Sequence, residues 1–303
     1  MKRKSIYKEV TELIITELKK GTAPWILPWK TVGGPLPRNI NGKHYRGINV
    51  LLLLRRLVQS RFLHNVWLTY KQAKELGGYV RQGEAGTRII YWNFKEVEEV
   101  DRETGEPIID EKTRRPKVTL VPFARVYYVF NLSQCAGEKL MEKAFKLQKA
   151  PKSTPDFPEI EKLLSLAKIE VGAKACYREF TDTITLPLQE AFKSQEDYYA
   201  TALHELVHWT APRLGRDLSD RFGDKAYAME ELVAEIGAAF LGAHLGLPIK
   251  NLQHPQYIAS WLEVLEKDVK AIFTAARRAQ EACDWLLEQA GLAEQPEELK
   301  KAA

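Results

Sequence analysis

The segment His204-Glu205-Leu206-Val207-His208 contains the residue types and the spacing of a hydrolytic metal site. On a helix, His204 and His208 stand one turn apart on the same face, so their imidazoles can bind one divalent ion together. Glu205 would then lie beside a water molecule activated by the ion, where a carboxylate can act as general base. The same pattern occurs by chance in roughly one chain of this length in a hundred. It therefore predicts a metal site rather than an ordinary core helix.

A second helix has to supply the remaining protein ligand. Residues 226–241 are rich in small side chains, which would let two helices approach closely, and they carry Glu231 and Glu235 one turn apart. Two carboxylates on an apolar helix are costly unless a positive charge compensates them. We predict Glu231 as the third ligand of Zn²⁺, or of another divalent ion such as Mn²⁺, and Glu235 as a hydrogen-bond acceptor from a ligand histidine. The reverse assignment stays open, and we expect Glu230 to be solvated.

Other segments of the back half would position this site. A helix over residues 196–211 carries the histidine pair, and Tyr227 is a candidate hydrogen-bond donor to the oxyanion of an acyl-transfer reaction. Strands are expected over residues 170–177 and 182–186. The proline after the second strand places it at a sheet edge, where it could pair with an extended substrate. Residues 256–287 are expected to form a packing helix over the site, broken midway.

The charge of the chain is divided between its two halves. Residues 1–135 carry 24 lysines and arginines against 13 acidic residues, whereas the remaining residues carry 21 and 27. A positive front half with interleaved aromatic side chains suits single-stranded nucleic acid, because basic groups follow the backbone while aromatic rings hold the bases. The sequence contains no helix-turn-helix, zinc-finger or RNP motif, so we do not expect it to read duplex DNA. A basic surface that is only solvated is the alternative.

Aromatic, basic and amide side chains of the front half are the candidate contacts to a DNA strand. They are Trp25, Trp29, Lys30, Tyr45, Arg46, Asn49, Trp67, Tyr70, Lys71, Lys74 and Arg81. Trp25 and Trp29 stand between prolines, in a segment that can be neither a helix nor a central strand. For each of these two residues, the sequence leaves open whether the ring stacks on bases or fills a small core.

Composition limits the class of protein. The 303 residues are 45% apolar, which is enough for two packed domains. We expect an α+β fold with one domain over residues 1–135, a polar linker over residues 136–157, and a mostly helical domain with a small sheet over residues 158–303. No run of about 18 apolar residues occurs, so we expect no membrane partner and a cytoplasmic location. The three cysteines lie in no metal-ligand spacing and are expected to be reduced thiols.

Several strings longer than the metal motif are distinctive. In the front half they are Pro24-Trp25 through Trp29, Tyr45-Arg46-Gly47-Ile48-Asn49, Trp67-Leu68-Thr69-Tyr70-Lys71-Gln72-Ala73 and Gly77-Gly78-Tyr79-Val80-Arg81-Gln82-Gly83-Glu84. In the back half they are His204-Glu205-Leu206-Val207-His208-Trp209-Thr210 and residues 227–241. Through these strings the chain resembles the ArdC antirestriction family over nearly its whole length.

The resemblance implies an N-terminal single-stranded-DNA-binding domain and a C-terminal zincin-like metallopeptidase domain. It also implies protection of incoming plasmid DNA from host restriction during conjugation, with a host restriction-system protein as substrate or target. It does not decide between Glu231 and Glu235 as the third ligand. The alternative function is a protein that only coats single strands or blocks restriction sterically, with a metal domain that is catalytically unused.

Overall fold

The computed structural model describes residues 5–26, 36–101, 104–110, 113–147, 157–218, 225–247 and 257–293. Over these ranges the chain combines helices with three small sheets, which confirms the predicted α+β class. None of the helices in these ranges is long and apolar enough to span a membrane.

The front half surrounds a four-stranded sheet of order β1-β2-β5-β4 and a two-stranded sheet of β3 and β6. Its elements are α1 (Ile6–Lys19), β1 (Arg38–Asn39), α2 (Ile48–Gln59), β2 (Val66–Leu68), α3 (Tyr70–Glu75), β3 (Tyr79–Val80), β4 (Thr87–Glu98), β5 (Val118–Asn131), β6 (Cys135–Ala136) and α4 (Glu138–Leu147). α1 forms where apolar residues repeat at helical spacing, and Val10, Ile14 and Leu18 of that stripe are buried.

The junction between β2 and α3 follows local sequence rules. The side chain of Thr69 accepts a hydrogen bond from the backbone N–H of Gln72, and the Gln72 side chain accepts one from the backbone N–H of Thr69. This capping box begins α3 directly after Thr69. Tyr70, Lys71 and Lys74 therefore lie on a short helix.

β4 and β5 form a long antiparallel ribbon. Their register runs from Thr87 opposite Val129 to Glu98 opposite Val118. The end of the ribbon at Thr87 and Val129 packs on the core, because Val129 is buried in a cluster that includes Leu53 of α2. Further along, many of its large apolar side chains are exposed.

The expected linker over residues 136–157 is wrong in its first part. α4 lies inside this range, and its Leu140 and Ala144 are fully buried beside Leu132. The charged residues that make the segment polar belong to an amphipathic helix, which buries only one stripe. α4 is therefore part of the front half, while residues 148–156 lie outside the described ranges.

The back half packs helices against a three-stranded sheet. Its elements are α5 (Phe157–Leu164), β7 (Lys168–Val171), β8 (Cys176–Arg178), β9 (Thr183–Leu186), α6 (Gln195–Trp209), α7 (Lys225–Leu245), α8 (Ile258–Lys267) and α9 (Ala271–Gln289). The strand order is β7-β9-β8, with β7 parallel and β8 antiparallel to β9. The break predicted within residues 256–287 separates α8 from α9, and all three cysteines are free thiols, as the sequence predicts.

The predicted edge position of the strand over residues 182–186 is wrong, because β9 lies in the centre of this sheet. Residues 170–177, predicted as one strand, divide into β7 and β8, which pair with β9 from both sides. A proline directly after a strand does not remove any hydrogen bond from inside it, so it is compatible with a central position.

The two halves share one apolar core. Trp25 packs edge-to-face on Trp261 of α8, with 6.1 Å between ring centroids. The buried stripe of α1 and the buried side of α2 belong to the same cluster as α6, α7, α8 and α9. Across the junction, the Thr11 hydroxyl donates to the backbone carbonyl of Val269 at 2.7 Å. The front half therefore packs directly on the helices that support the histidine pair.

Candidate metal centre

α6 brings the two histidines together in a buried position. The helix begins where the Ser194 hydroxyl accepts a hydrogen bond from the backbone N–H of Asp197. His204 and His208 are 1% and 9% exposed, and their Nε2 atoms lie 3.2 Å apart. The one-turn spacing thus places both imidazoles on one side of α6, with a nitrogen of each directed at a common point.

α7 supplies a carboxylate at that point. The Glu231 oxygens lie 3.4 Å from Nε2 of His204 and 3.6 Å from Nε2 of His208. The ligand atoms of these three residues all lie within 4.8 Å of one another, close enough for one ion. Glu235 lies behind the first ring instead, 3.5 Å from Nδ1 of His204. The geometry favours Glu231 as the third ligand and Glu235 as the partner of a ligand histidine.

The close approach of α6 and α7 depends on Gly237. A Cβ atom at this position would lie 2.9 Å from one methyl carbon of Val207 and 3.0 Å from the other. Val207 is fully buried, so its side chain has little room to move away. The small residues of α7 therefore act as the sequence suggests, by bringing Glu231 within reach of α6.

Glu230 is not solvated, and its sequence-based assignment is wrong. It is 6% exposed, and one carboxylate oxygen lies 3.2 Å from Nδ1 of His208. The other oxygen accepts from Nε of buried Arg216 at 3.0 Å. Burial alone would raise the pKa of Glu230, but His208 and Arg216 outweigh it and hold the pKa below its usual range. No local sequence pattern predicts the ion pair of Arg216 with Glu230, because only the tertiary fold brings these two residues together.

This donor set fits a divalent ion. Two imidazole nitrogens and a carboxylate oxygen are common ligands of Zn²⁺ and its neighbours in the first transition series. Each imidazole has a second carboxylate at Nδ1, namely Glu235 for His204 and Glu230 for His208. Such partners would fix the ring orientation and leave Nε2 available to bind an ion. Burial lowers the pKa of His204, but Glu231 and Glu235 raise it more, to about 10.

The candidate ligands open onto a cleft of about 210 Å³. Glu205 lines this cleft and is 4% exposed, so it can act on a molecule held there. Tyr227 lines it too, and its hydroxyl lies 2.9 Å from that of Tyr257. Burial raises the pKa of both phenols, so both remain protonated at neutral pH and can donate hydrogen bonds. Tyr257 was not singled out from the sequence, because it lies in the segment predicted only to pack.

Several predicted DNA contacts are packing residues in the structure. Trp25 is 3% exposed and Trp67 is fully buried. Asn49 hydrogen-bonds through its side chain to both backbone groups of Ile90, and burial raises the pKa of Tyr45 to about 12. A ring without a solvent-facing side cannot stack on a base. The structure therefore favours the core role that the sequence left open for Trp25, and it contradicts base stacking for Trp67.

Other predicted DNA contacts are accessible. The exposed ones are Arg46, Tyr70, Lys71, Lys74 and Arg81. Arg46 also forms an ion pair with Asp284 of α9, and Arg81 forms one with Glu84 at 3.1 Å. Trp29 and Lys30 lie outside the described residues. The accessible candidates thus lie on α3, beside the junction of the two halves at Arg46, and within the front half at Arg81.

A histidine pair on one helix, a glutamate from the next, and a small mixed sheet define a zincin-like domain attached to an α+β front domain. A family model described as a zincin-like metallopeptidase matches residues 158–278. A model described as the N-terminal domain of anti-restriction factor ArdC matches residues 4–130. The two matches agree with the two-domain architecture.

Whole-chain similarities extend this result. Metal-free antirestriction protein ArdC from plasmid R388 is 36% identical, with a TM-score of 0.75, and the match covers 96% of this chain and all of that one. Its Mn(II)-bound structure is 35% identical over the same shares, with a TM-score of 0.72. The uncharacterised protein y4eC of Sinorhizobium fredii is 35% identical over 93% of this chain and 91% of its own length. The chain belongs to the ArdC antirestriction family.

Larger proteins contain a related segment. Two Escherichia coli proteins named DNA primase TraC are 40% and 38% identical to 94% of this chain. The chain spans only 27% and 20% of their lengths.

Proposed function

We propose that this chain binds a divalent ion through His204, His208 and Glu231 and hydrolyses peptide bonds with Glu205 as general base. The observation that carries the proposal is the convergence of these four side chains in one cleft. The likeness to a relative solved with Mn(II), together with the match to a metallopeptidase model, supports a divalent ion. Zn²⁺ and Mn²⁺ are the candidates for this chain.

The side chains of the cleft divide the work of amide hydrolysis. When bound, a divalent ion supplies Lewis acidity, which makes water more acidic and a carbonyl group more electrophilic. Glu205 accepts the proton of the attacking water and passes it to the leaving amine. Tyr227 donates a hydrogen bond to the developing oxyanion, since its raised pKa keeps the hydroxyl protonated. Glu230 and Glu235 hold the two imidazoles in orientation.

An extended substrate would pair with β8 rather than with the strand predicted from the sequence. β9 is central and pairs on both sides, whereas β8 pairs with β9 on one side within the described part of the chain. Cys176 and Tyr177 of β8 line the same cleft as the histidines. Main-chain pairing along β8 would therefore lay a peptide across the candidate ion site.

For the front half, we infer binding of single-stranded DNA. The excess of basic residues over residues 1–135 and the family membership support this inference. Together with the peptidase-like site, it leads to the proposal that the protein protects incoming conjugative plasmid DNA from host restriction. A host restriction-system protein would then be the substrate or target, and the cytoplasm of the recipient cell would be the place of action.

Replacement of Glu205 by Gln tests the peptidase. We expect peptide cleavage to fall by about 10²- to 10⁴-fold, the usual contribution of a general base. The metal content should stay unchanged, because Glu205 is not among the three grouped ligands. The measurement uses a mixed library of internally quenched peptides with Zn²⁺ or Mn²⁺ supplied, together with elemental analysis. Wild-type cleavage by the variant would contradict the assignment of the base.

A second candidate function is a steric or strand-coating inhibitor of restriction, which the basic front half would perform alone. The same Glu205→Gln variant and a Glu231→Gln variant separate the two functions when plasmid transfer into a restricting host is measured. Protection that persists in both variants would favour the inhibitor that uses no catalysis. Loss of protection in both, with strand binding intact, would favour the peptidase.

A further inference from the structure

The pairing register separates the side chains of the β4–β5 ribbon into two chemically different faces. Directly opposed residues share a face, and consecutive residues along a strand lie on opposite faces. Pairs such as Tyr91 with Arg125, Ile89 with Tyr127 and Lys95 with Val121 lie on one face. Its aromatic and basic members, which we call the aromatic face, are Tyr91, Lys95, Phe123, Arg125 and Tyr127.

Charge is unevenly distributed between the two faces. The aromatic face carries Lys95 and Arg125, and no paired position on that side is acidic. The opposite face carries Arg88, Glu96 and Glu98 among its paired positions, and Arg88 is ion-paired with a glutamate of α1. The aromatic face of the ribbon is therefore positively charged, and the opposite face is negatively charged at the end near Glu98. In the sequence itself, the basic and acidic residues of β4 stand next to one another.

The aromatic rings of this face are accessible. Tyr91 and Tyr127 are 56% and 43% exposed, and their rings meet edge-to-face with 6.1 Å between centroids. The guanidinium of Arg125 lies 5.3 Å from the centre of the Phe123 ring. Exposed large apolar side chains grouped in one place usually mark a binding surface. Here they alternate with basic groups, as on surfaces that bind single strands.

We propose that the aromatic face binds single-stranded DNA, with Tyr91 and Tyr127 stacking on bases and Lys95 and Arg125 contacting phosphates. The proposal rests on the proposed strand-binding function and locates it on residues other than the buried Trp25 and Trp67. Same-face residues along a strand are about 7 Å apart, so the face offers successive contacts along one extended strand. Bases of a duplex already stack on each other, so the tyrosines select unpaired bases.

The first test measures base stacking in the full chain. The probe is a fluorescein-labelled oligothymidine of about 20 nucleotides, longer than typical single-strand sites. Combined Tyr91→Leu and Tyr127→Leu substitutions should weaken binding at least about tenfold, because base–aromatic contacts of this kind usually contribute that much. Tyr128→Leu, an exposed tyrosine on the opposite face, is the matched control and should change binding less than about twofold.

A second pair of variants keeps the test independent of folding defects. Tyr91→Phe with Tyr127→Phe retains both rings and should bind the oligothymidine as the wild type does. Lys95→Gln with Arg125→Gln should reduce the slope of log affinity against log salt by about 1.4, or about 0.7 for each lost phosphate contact.

The outcomes separate this inference from the proposed function. A wild-type chain that does not bind the oligothymidine would end the strand-binding function itself. Normal binding by the Leu variants, with wild-type binding present, would overturn the inference and leave the function intact. Leu variants that bind the strand normally but lose protection of plasmid DNA would instead make the ribbon a protein-docking surface, which also overturns it.

Discussion

Each candidate ligand histidine has its own carboxylate at Nδ1, and the two carboxylates have different surroundings. Glu235 lies 3.5 Å from His204, and Glu230 lies 3.2 Å from His208. Glu230 also accepts hydrogen bonds from Nε and Nη2 of Arg216, and Nη2 donates to the backbone carbonyl of Val207 at 2.7 Å as well. Glu230 therefore links the histidine to the loop after α6, and its loss affects both the ion and the packing.

Glu230→Gln should weaken binding of Zn²⁺ or Mn²⁺ by about 10- to 100-fold, the usual effect of losing a partner of a ligand histidine. It should also lower the free energy of unfolding by about 3–5 kcal/mol, because Arg216 would remain buried with its countercharge removed. Chelator competition measures the first effect and denaturant unfolding the second. Glu235→Gln is the matched control: it should weaken ion binding through His204 without leaving Arg216 unpaired. Equal stability of the two variants would contradict this account.

The raised pKa of His204 makes ion binding depend on pH. In the chain without an ion, Glu231 and Glu235 raise this pKa to about 10 against the opposing effect of burial, so the imidazole is protonated at neutral pH. An ion can bind only after that proton leaves. Affinity for Zn²⁺ or Mn²⁺ should therefore rise about tenfold per pH unit between about pH 6 and 8. Titration at several pH values measures the slope, and a flat profile would show that no proton is displaced.

At the scale of elements, the site depends on how closely α6 and α7 pack. The helix spacing is set where Gly237 faces Val207, and Glu231 lies on the same helix as Gly237. A bulkier residue at this contact would push the helices apart and withdraw the carboxylate from both imidazoles. The packing of α6 and α7 and the geometry of the three candidate ligands are therefore coupled through one small residue.

Gly237→Ala should weaken ion binding by about tenfold, comparable to the loss of a supporting group. The loss in the free energy of unfolding should be smaller than the full overpacking cost of about 1–3 kcal/mol, because alanine favours a helix over glycine by about 1 kcal/mol. Chelator competition and thermal unfolding measure the two quantities. Adding Val207→Ala removes the clashing methyl groups and should restore most of the affinity. Affinity that stays low in the double variant would show that the contact is not the cause.

At the scale of the whole molecule, two family domains are joined by a continuous core. Trp25 of the front half packs on Trp261 of α8, and Gln280 of α9 accepts a hydrogen bond from the backbone N–H of Gly47 at 3.1 Å. The buried cluster extends from α1 and α2 to the helices of the metal centre. The domain boundaries predicted from the sequence therefore do not separate two independent hydrophobic cores in the folded chain.

The chain should unfold in one cooperative transition, unlike the separate transitions common in proteins of two domains. Trp261→Ala removes a fully buried ring and should lower the free energy of unfolding by about 3–5 kcal/mol for the whole transition. Calorimetry, circular dichroism and ion release should give one midpoint before and after the change. Two calorimetric peaks, one of them unaffected by the substitution, would show that the domains unfold independently.

The sequence by itself determined those features that depend on neighbours within a few residues. The His204–His208 spacing, the cap at Thr69 and the apolar stripe of α1 all follow from helix geometry and local hydrogen bonding. The small residues of α7 also predicted close helix packing correctly, because two helices can approach closely only where the side chains between them are small.

Only the tertiary structure decided which distant groups meet. His208 meets Glu230 across 22 residues, and Arg216 reaches the same carboxylate from a loop. The central place of β9, the burial of Trp67 and the exposure of Tyr91 likewise follow from how elements pack and pair. Burial and pairing are properties of the assembled chain, so residue type and spacing predict which groups can do chemistry, whereas packing selects the ones that do it.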